Sequence, residues 1–251
     1  MHFASVLVQW PVTCILQVTK TLTWRNLTLI DAVLTHPHPT APTRAGYVVT
    51  ALIAAWFGAV LAASLTGTFE VPAGELPLPI LTALAIPLAL FATGYRFLPS
   101  FRDFVLHLDL RPLILLHAFR TVGAGFLLLA AFDVLPLAFS IPAGVGDLIA
   151  AAGALVVGVA LYTPRGLSRR WLTRWNSFGI ADFIVAVATG TLSGTGGLLH
   201  FNGSVSSDAM GSFPLVLIPA FFVPLFLITH LIVLIHLRTQ WRGVSRISFS
   251  Q

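Results

Sequence analysis

Six stretches of this chain are apolar over close to the ~20 residues an α-helix needs to cross ~30 Å of hydrocarbon. They lie near 47–66, 77–95, 112–132, 148–163, 177–194 and 214–237. Within lipid each backbone N–H and C=O must find its partner inside the segment, so such stretches are helical. Composition leaves no aqueous alternative: 57% of residues are hydrophobic and 9% charged, with mean hydropathy +0.90. That is too little polar surface to coat a core in water. The expected fold class is therefore all-α: a polytopic transmembrane helical bundle, with the lipid bilayer as its first partner. The fourth stretch is short and rich in Ala and Gly, and needs neighbours packed tightly around it.

Charge between the stretches alternates. Lys20, Arg25 and Arg44 precede the first, and Glu70 and Glu75 follow it. Arg96, Arg102 and Arg111 come next, then Asp133 and Asp147. Arg165, Arg169, Arg170 and Arg174 are followed by a loop holding only Asp208, and Arg238, Arg242 and Arg246 close the chain. Every Lys and Arg except Arg120 falls on one side, which the positive-inside rule makes cytoplasmic. The expectation is a plasma-membrane protein with a cytoplasmic C-terminus. The net charge of +5 thus reports orientation, and no nucleic-acid partner is expected.

Residues 3–18 are apolar but interrupted by Gln9, Pro11 and Gln17. No basic residue precedes them and no small-residue cleavage site follows, so no cleavable leader is expected. They form either a seventh span, with the N-terminus outside, or a helix on the membrane surface. The chain accordingly divides into an N-terminal segment (1–44) ending in the proline-spaced linker THPHPTAPT, a six-span membrane domain (45–238) and a cytoplasmic tail (239–251). Residues 101–110 suit a short interfacial helix.

A charge kept inside a span is costly and marks a functional candidate. His117 and Arg120 sit in the third stretch, Asp182 in the fifth and His230 in the sixth. Counting 1.5 Å per residue from the basic ends puts all four roughly 8–12 Å deep, in one layer. His117 and Arg120 are three apart and share a helix side. Mutual neutralisation follows: an Arg120–Asp182 ion pair flanked by the two histidines. In the fifth stretch Gly179, Asp182, Ala186, Thr189 and Ser193 make a small-and-polar seam, and Ala51, Ala55, Gly58 and Ala62 make another in the first; such seams let helices approach closely. Against a functional role stands the staple, a buried pair that only fixes register.

Residues 133–147 (DVLPLAFSIPAGVGD) read as the outer connection between the third and fourth stretches. It is either a re-entrant loop or a tight connection, with Asp147 as N-cap of the next helix. Pro214, Pro219 and Pro224 open or kink the sixth. Asn176 begins the fifth span and is a secondary candidate beside Asp147. The only cysteine, Cys14, excludes an intrachain disulfide, and His36 and His38 lack partners at metal spacing, so no metal site is expected. Asn202-Gly203-Ser204 fits the glycosylation tripeptide, a frequent chance pattern.

Three segments carry a family resemblance: HAFRTVGAGFLLLAAFDVLPLAFSIPAGVGDLIAA, RWNSFGIADFIVAV and FPLVLIPAFFVPLFLITHLIVL. With Arg, PAG-x-GD, N-x-x-G-x-x-D and IP…VP…H in that order, the chain from about 75 to 237 resembles uncharacterised bacterial multi-pass integral membrane proteins. The resemblance implies a six-span family of unknown function. From the residues themselves, the leading expectation is transport of a small solute, or proton-coupled permeation, through a site of His117, Arg120, Asp182 and His230. No enzymatic activity and no cofactor are expected. Two alternatives stay open: a redox subunit with haem held by His117 and His230, and an accessory or assembly protein without cofactor.

Overall fold

The computed structural model describes residues 44–162, 168–201 and 205–247. The stretch 3–18, His36, His38 and the Asn202 tripeptide lie outside the described residues. Every regular element among those described is helical. In chain order they are α1 (Arg44–Leu65), α2 (Leu78–Phe97), α3 (Pro99–Leu106) and α4 (Leu110–Leu116). A 3-10 stretch (His117–Gly123) leads into α5 (Ala124–Ala131), followed by α6 (Leu137–Ala160) and α7 (Arg169–Leu192). A 3-10 turn (Asp208–Gly211) comes next, and a π turn (Ile218–Phe222) opens α8 (Val223–Ile247).

Five runs are long and apolar enough to cross a membrane: Gly46–Leu65, Leu78–Phe97, Leu110–Ala131, Leu137–Ala160 and Ile218–Thr239. At 24 residues α7 is as long as α6. Three arginines in its first turns, with Asn176 and Asp182, leave it more polar than the five.

The fourth stretch corrects the sequence expectation. Its helix starts at Leu137, not near 148, and runs straight through Pro142. The connection from α5 is only 132–136. It closes with the Val134 amide on the Leu129 carbonyl at 2.9 Å and Asp133 at φ 53°, a left-handed position that Asp tolerates better than most residues. The turn is local, so Pro142 and the following glycines belong to a helix. Asp147 therefore lies inside a helix and caps nothing.

Helix α6 is the centre of the packing. The α4–α5 run lies along it, α7 packs on it, α8 on α7, and α2 on α8. Small residues make this possible on both sides of α6. A Cβ on Gly153 would stand 2.7 Å from the Trp175 ring, and one on Gly158 would overlap Leu115. At that end Ile114, Ala154, Val157, Leu172, Trp175, Val233 and Leu237 form a dry cluster. Helix α1 is peripheral. It packs with Ile53, Trp56, Phe57 and Val60 against Phe221 and its neighbours. The small seam Ala51–Ala62 faces outward, contrary to expectation, because bulky aromatic contact at Phe221 takes the opposite face; the Trp56 ring stands 4.5 Å from it.

Contacts between loops define two ends. Arg111 lies 5.0 Å over the Tyr162 ring, Arg169 donates to the Leu237 carbonyl at 3.1 Å, and His236 donates to the Val105 carbonyl at 2.9 Å. At the other end residues 66–77 meet residues near 196 and 211, with Gly211 against the Phe69 carbonyl and Gly196 against Gly74.

Ile114 is fully enclosed in the α4–α6–α7–α8 seam, whereas Leu90 is 68% exposed. Ile114→Ala is expected to cost ~2–5 kcal/mol and Leu90→Ala under about 0.5 kcal/mol, read as thermal unfolding in detergent. Equal losses would show that the seam is not the core.

Candidate functional site

The 3-10 stretch sets up the site. With 3.0 residues per turn, side chains three apart eclipse one another. His117, Arg120 and Gly123 form such a row, and these three are the buried residues of the stretch. An α-helix would have fanned them apart. The Thr121 hydroxyl donates to the Ala118 carbonyl at 3.0 Å, an i to i−3 bond in keeping with the tighter winding.

Arg120 is buried between two carboxylates. Its Nε donates to Asp147 Oδ1 at 2.7 Å, its Nη2 donates to Asp182 Oδ2, and its guanidinium carbon lies 3.9 Å over the Phe183 ring. The expected Arg120–Asp182 pair forms, and Asp147 joins it as a second acceptor. Glycines let the three helices close on this ion triad. A Cβ on Gly123 would overlap Asp147, one on Gly146 would overlap Asp182, and one on Gly144 would stand 2.9 Å from the Gly123 carbonyl.

The two histidines stack beside the triad, ring centroids 4.1 Å apart, with Trp175 about equally close to both. The Thr229 hydroxyl gives its proton to the Phe226 carbonyl at 2.7 Å. It therefore accepts from His117 Nε2 at 2.8 Å, so a neutral His117 leaves Nδ1 as a bare acceptor. His230 Nδ1 donates to Asn176 Oδ1 at 2.9 Å, so its Nε2 is likewise bare. His117 Nδ1, His230 Nε2 and Arg120 Nη1 are buried without a hydrogen-bond partner among the described residues. His230 Nε2 and Arg120 Nη1 both crowd the place a Cβ on Gly179 would occupy. One acceptor and one donor thus converge where any side chain at 179 would stand.

A cavity of about 710 Å³ reaches this cluster from one side. Arg120 and Asp147 line its base, phenylalanines including Phe119, Phe126, Phe183 and Phe222 line its walls, and Glu70, Glu75 and Asp208 line its rim. Asp182 and the histidines do not line it. Of the triad, Asp147 is most open, its side chain 15% exposed against 1% for Arg120 and 5% for Asp182. On the opposite side of the histidines the Ile114–Leu237 cluster closes the way. At the rim, burial would raise the Asp208 pKa. Hydrogen bonds from the Thr195 hydroxyl and amide, together with Ser206 and the charge of His200, outweigh burial and hold the carboxyl below its usual value.

The sequence-derived candidates His117, Arg120, Asp182 and His230 thus come together, and Asn176 and Asp147 join them. Several contributors were missed. Thr229, Phe183 and Trp175 lay in stretches without a signal of their own, and the glycines of PAG-x-GD read as part of a connection. The seven-residue spacing from Gly179 to Ala186 around Asp182 signalled a buried face of α7, and the same reading applied to Gly144, Gly146 and Asp147 would have placed Asp147 inside a helix.

Gly146→Ala and Gly179→Ala put a methyl group into Asp182 and His230. Both are expected to destabilise by at least ~1–3 kcal/mol. Gly58 and Gly125 meet nothing within 4 Å, and their alanine variants are expected to unfold at or slightly above the wild-type temperature. Thermal unfolding of the four variants tests this. Equal behaviour would remove the glycines from the construction of the site.

The fold and site share one region with a known family. Residues 77–238 match a domain of unknown function, DUF8737. No curated protein matches the chain, and no solved structure does. The match runs from the start of α2 to the end of the apolar part of α8, so it takes in every residue of the triad and the histidine stack and leaves out α1. Because it covers more than half of the sequence, the chain belongs to the DUF8737 family.

Proposed function

We propose that this is an integral membrane protein of six spans, α7 joining the five apolar runs, which moves a small solute or protons past the Arg120 site. Charge distribution and surface support the membrane part. Large apolar side chains such as Leu90, Phe119 and Phe132 are exposed around the bundle, a surface suited to lipid rather than water. Arg111 and Arg169 gather at one end and Glu70, Glu75 and Asp208 at the other. By the positive-inside rule the arginine end, with the C-terminus, faces the cytoplasm of a plasma-membrane protein.

The observation that carries the transport reading is the cavity lined by Asp147 and Arg120 of the ion triad. A staple alone needs no such space, whereas a cavity that ends on buried charges has the form of a binding site. One arginine shared by two carboxylates can accept a positive charge, as a proton or a cation, and stay near balance.

The haem alternative draws less support. The two rings lie tilted against each other at 4.1 Å, so axial ligation by both would require the 3-10 stretch and α8 to separate around a macrocycle.

In proteoliposomes with a pH-sensitive dye trapped inside, a proton gradient is expected to drive flux through the wild type. Arg120→Ala removes both charge-assisted hydrogen bonds of the triad and Asp182→Asn takes the charge from one; each such bond is worth ~1.5–3 kcal/mol, so flux is expected to fall roughly tenfold or more in both. Wild-type flux in both variants would overturn the reading.

A further inference from the structure

We infer that the cavity takes an organic cation with an apolar, aromatic-sized body, and that the Asp147 carboxylate is its counter-ion. The inference rests on reading the cavity as a substrate site and names the class of substrate. It does not require that the substrate be moved.

Charge decides the sign. Among the described residues four acidic ones line the cavity, namely Glu70, Glu75, Asp147 and Asp208, and the only basic one is Arg120. Arg120 offers an anion little: its Nε and Nη2 are committed to Asp147 and Asp182, and its side chain is 1% exposed. Asp147 is the converse. Only its Oδ1 is used by Arg120, no hydrogen bond reaches its Oδ2 among the described residues, and its side chain is the most open of the three. An incoming ligand therefore meets an acidic rim and then a half-satisfied carboxylate at the base. Asp208, held ionised by Thr195, adds to the field that draws cations inward.

The walls decide the body. Phe126, Phe183 and Phe222 are among the lining residues, and aromatic rings attract a desolvated cation through their negative faces. Arg120 itself already uses one such face, that of Phe183. At about 710 Å³ the cavity lies within the ~300–1,000 Å³ typical of sites for drug-sized ligands. A small hydrated metal ion would leave these walls bare, and an acyl chain would leave the acidic rim and Asp147 unanswered.

The test uses the full chain in nanodiscs of zwitterionic phosphatidylcholine and two probes of the same shape and opposite charge, tetraphenylphosphonium and tetraphenylborate. Equilibrium binding is measured with each. Saturable, one-to-one binding is expected for the phosphonium and only unsaturable partition for the borate. Asp147→Asn is expected to weaken phosphonium binding by about tenfold or more, the loss of one partly buried charge pair. Should that variant fail to fold, the Glu70→Gln/Glu75→Gln double variant decides. Its changes are at exposed rim positions, and it is expected to lower affinity severalfold and flatten its salt dependence. Equal binding of the two probes, unsaturable uptake of both, or wild-type affinity in the variants that fold would overturn the inference. Saturable phosphonium binding in a protein that shows no flux would leave the cation site standing and remove the transport reading.

Discussion

The whole arrangement depends on a guanidinium held among apolar helices by two carboxylates. Removing an ion from water costs several kcal/mol, recovered only where partners meet it at hydrogen-bond distance. Arg120 meets that demand with Asp147 from α6 and Asp182 from α7, so three helices must converge to within the reach of one side chain. The local sequence answers this. Gly123 and Gly146 sit where any side chain would strike a carboxylate, and Gly179 sits where one would strike His230. The 3-10 winding lines His117, Arg120 and Gly123 on one edge. An α-helical Arg120 with an alanine at 146 could not be satisfied by the same backbone.

Polarity changes in steps along the axis of the site. An acidic rim opens into aromatic walls, then the ion triad, then two stacked histidines whose outer nitrogens go to Thr229 and Asn176. Beyond them lies the dry seam of Ile114, Val157, Leu172 and Leu237. A cation entering at the rim moves down its potential as far as Asp147 and no farther. The histidines and seam behind it are the elements that would have to rearrange for anything to pass. In this reading the 3-10 stretch, the short connection at 132–136 and the π turn at Ile218–Phe222 are the departures from regular helix nearest the site, and such departures are common at functional positions.

Much of the site was legible because charges are rare in apolar sequence. Arg120, Asp182 and the histidines stood out by type alone, and spacing from the basic ends placed them in one layer. Asp147 was misplaced for an equally physical reason. Pro142, Gly144 and Gly146 are turn signals in water, but within a helical bundle neighbouring helices supply the missing contacts, so the helix continues. The seam of α1 was misjudged because small-residue spacing shows only that a close approach is possible. Which face is used depended on Phe221, distant in sequence. Thr229 carried no signal, since a hydroxyl inside an apolar run ordinarily bonds its own helix, as it does here to Phe226, and its service to His117 depends on tertiary packing.

If Arg120, Asp147 and Asp182 form one electrostatic unit, their contributions to stability cannot be additive. The direct measurement is thermal unfolding of Arg120→Met, of Asp147→Asn/Asp182→Asn, and of the triple variant. Arg120→Met leaves two carboxylates facing each other in a buried site. The account predicts that it unfolds at a lower temperature than the triple variant, in which no charge is left unpaired. A triple variant destabilised by the sum of the separate losses would contradict it.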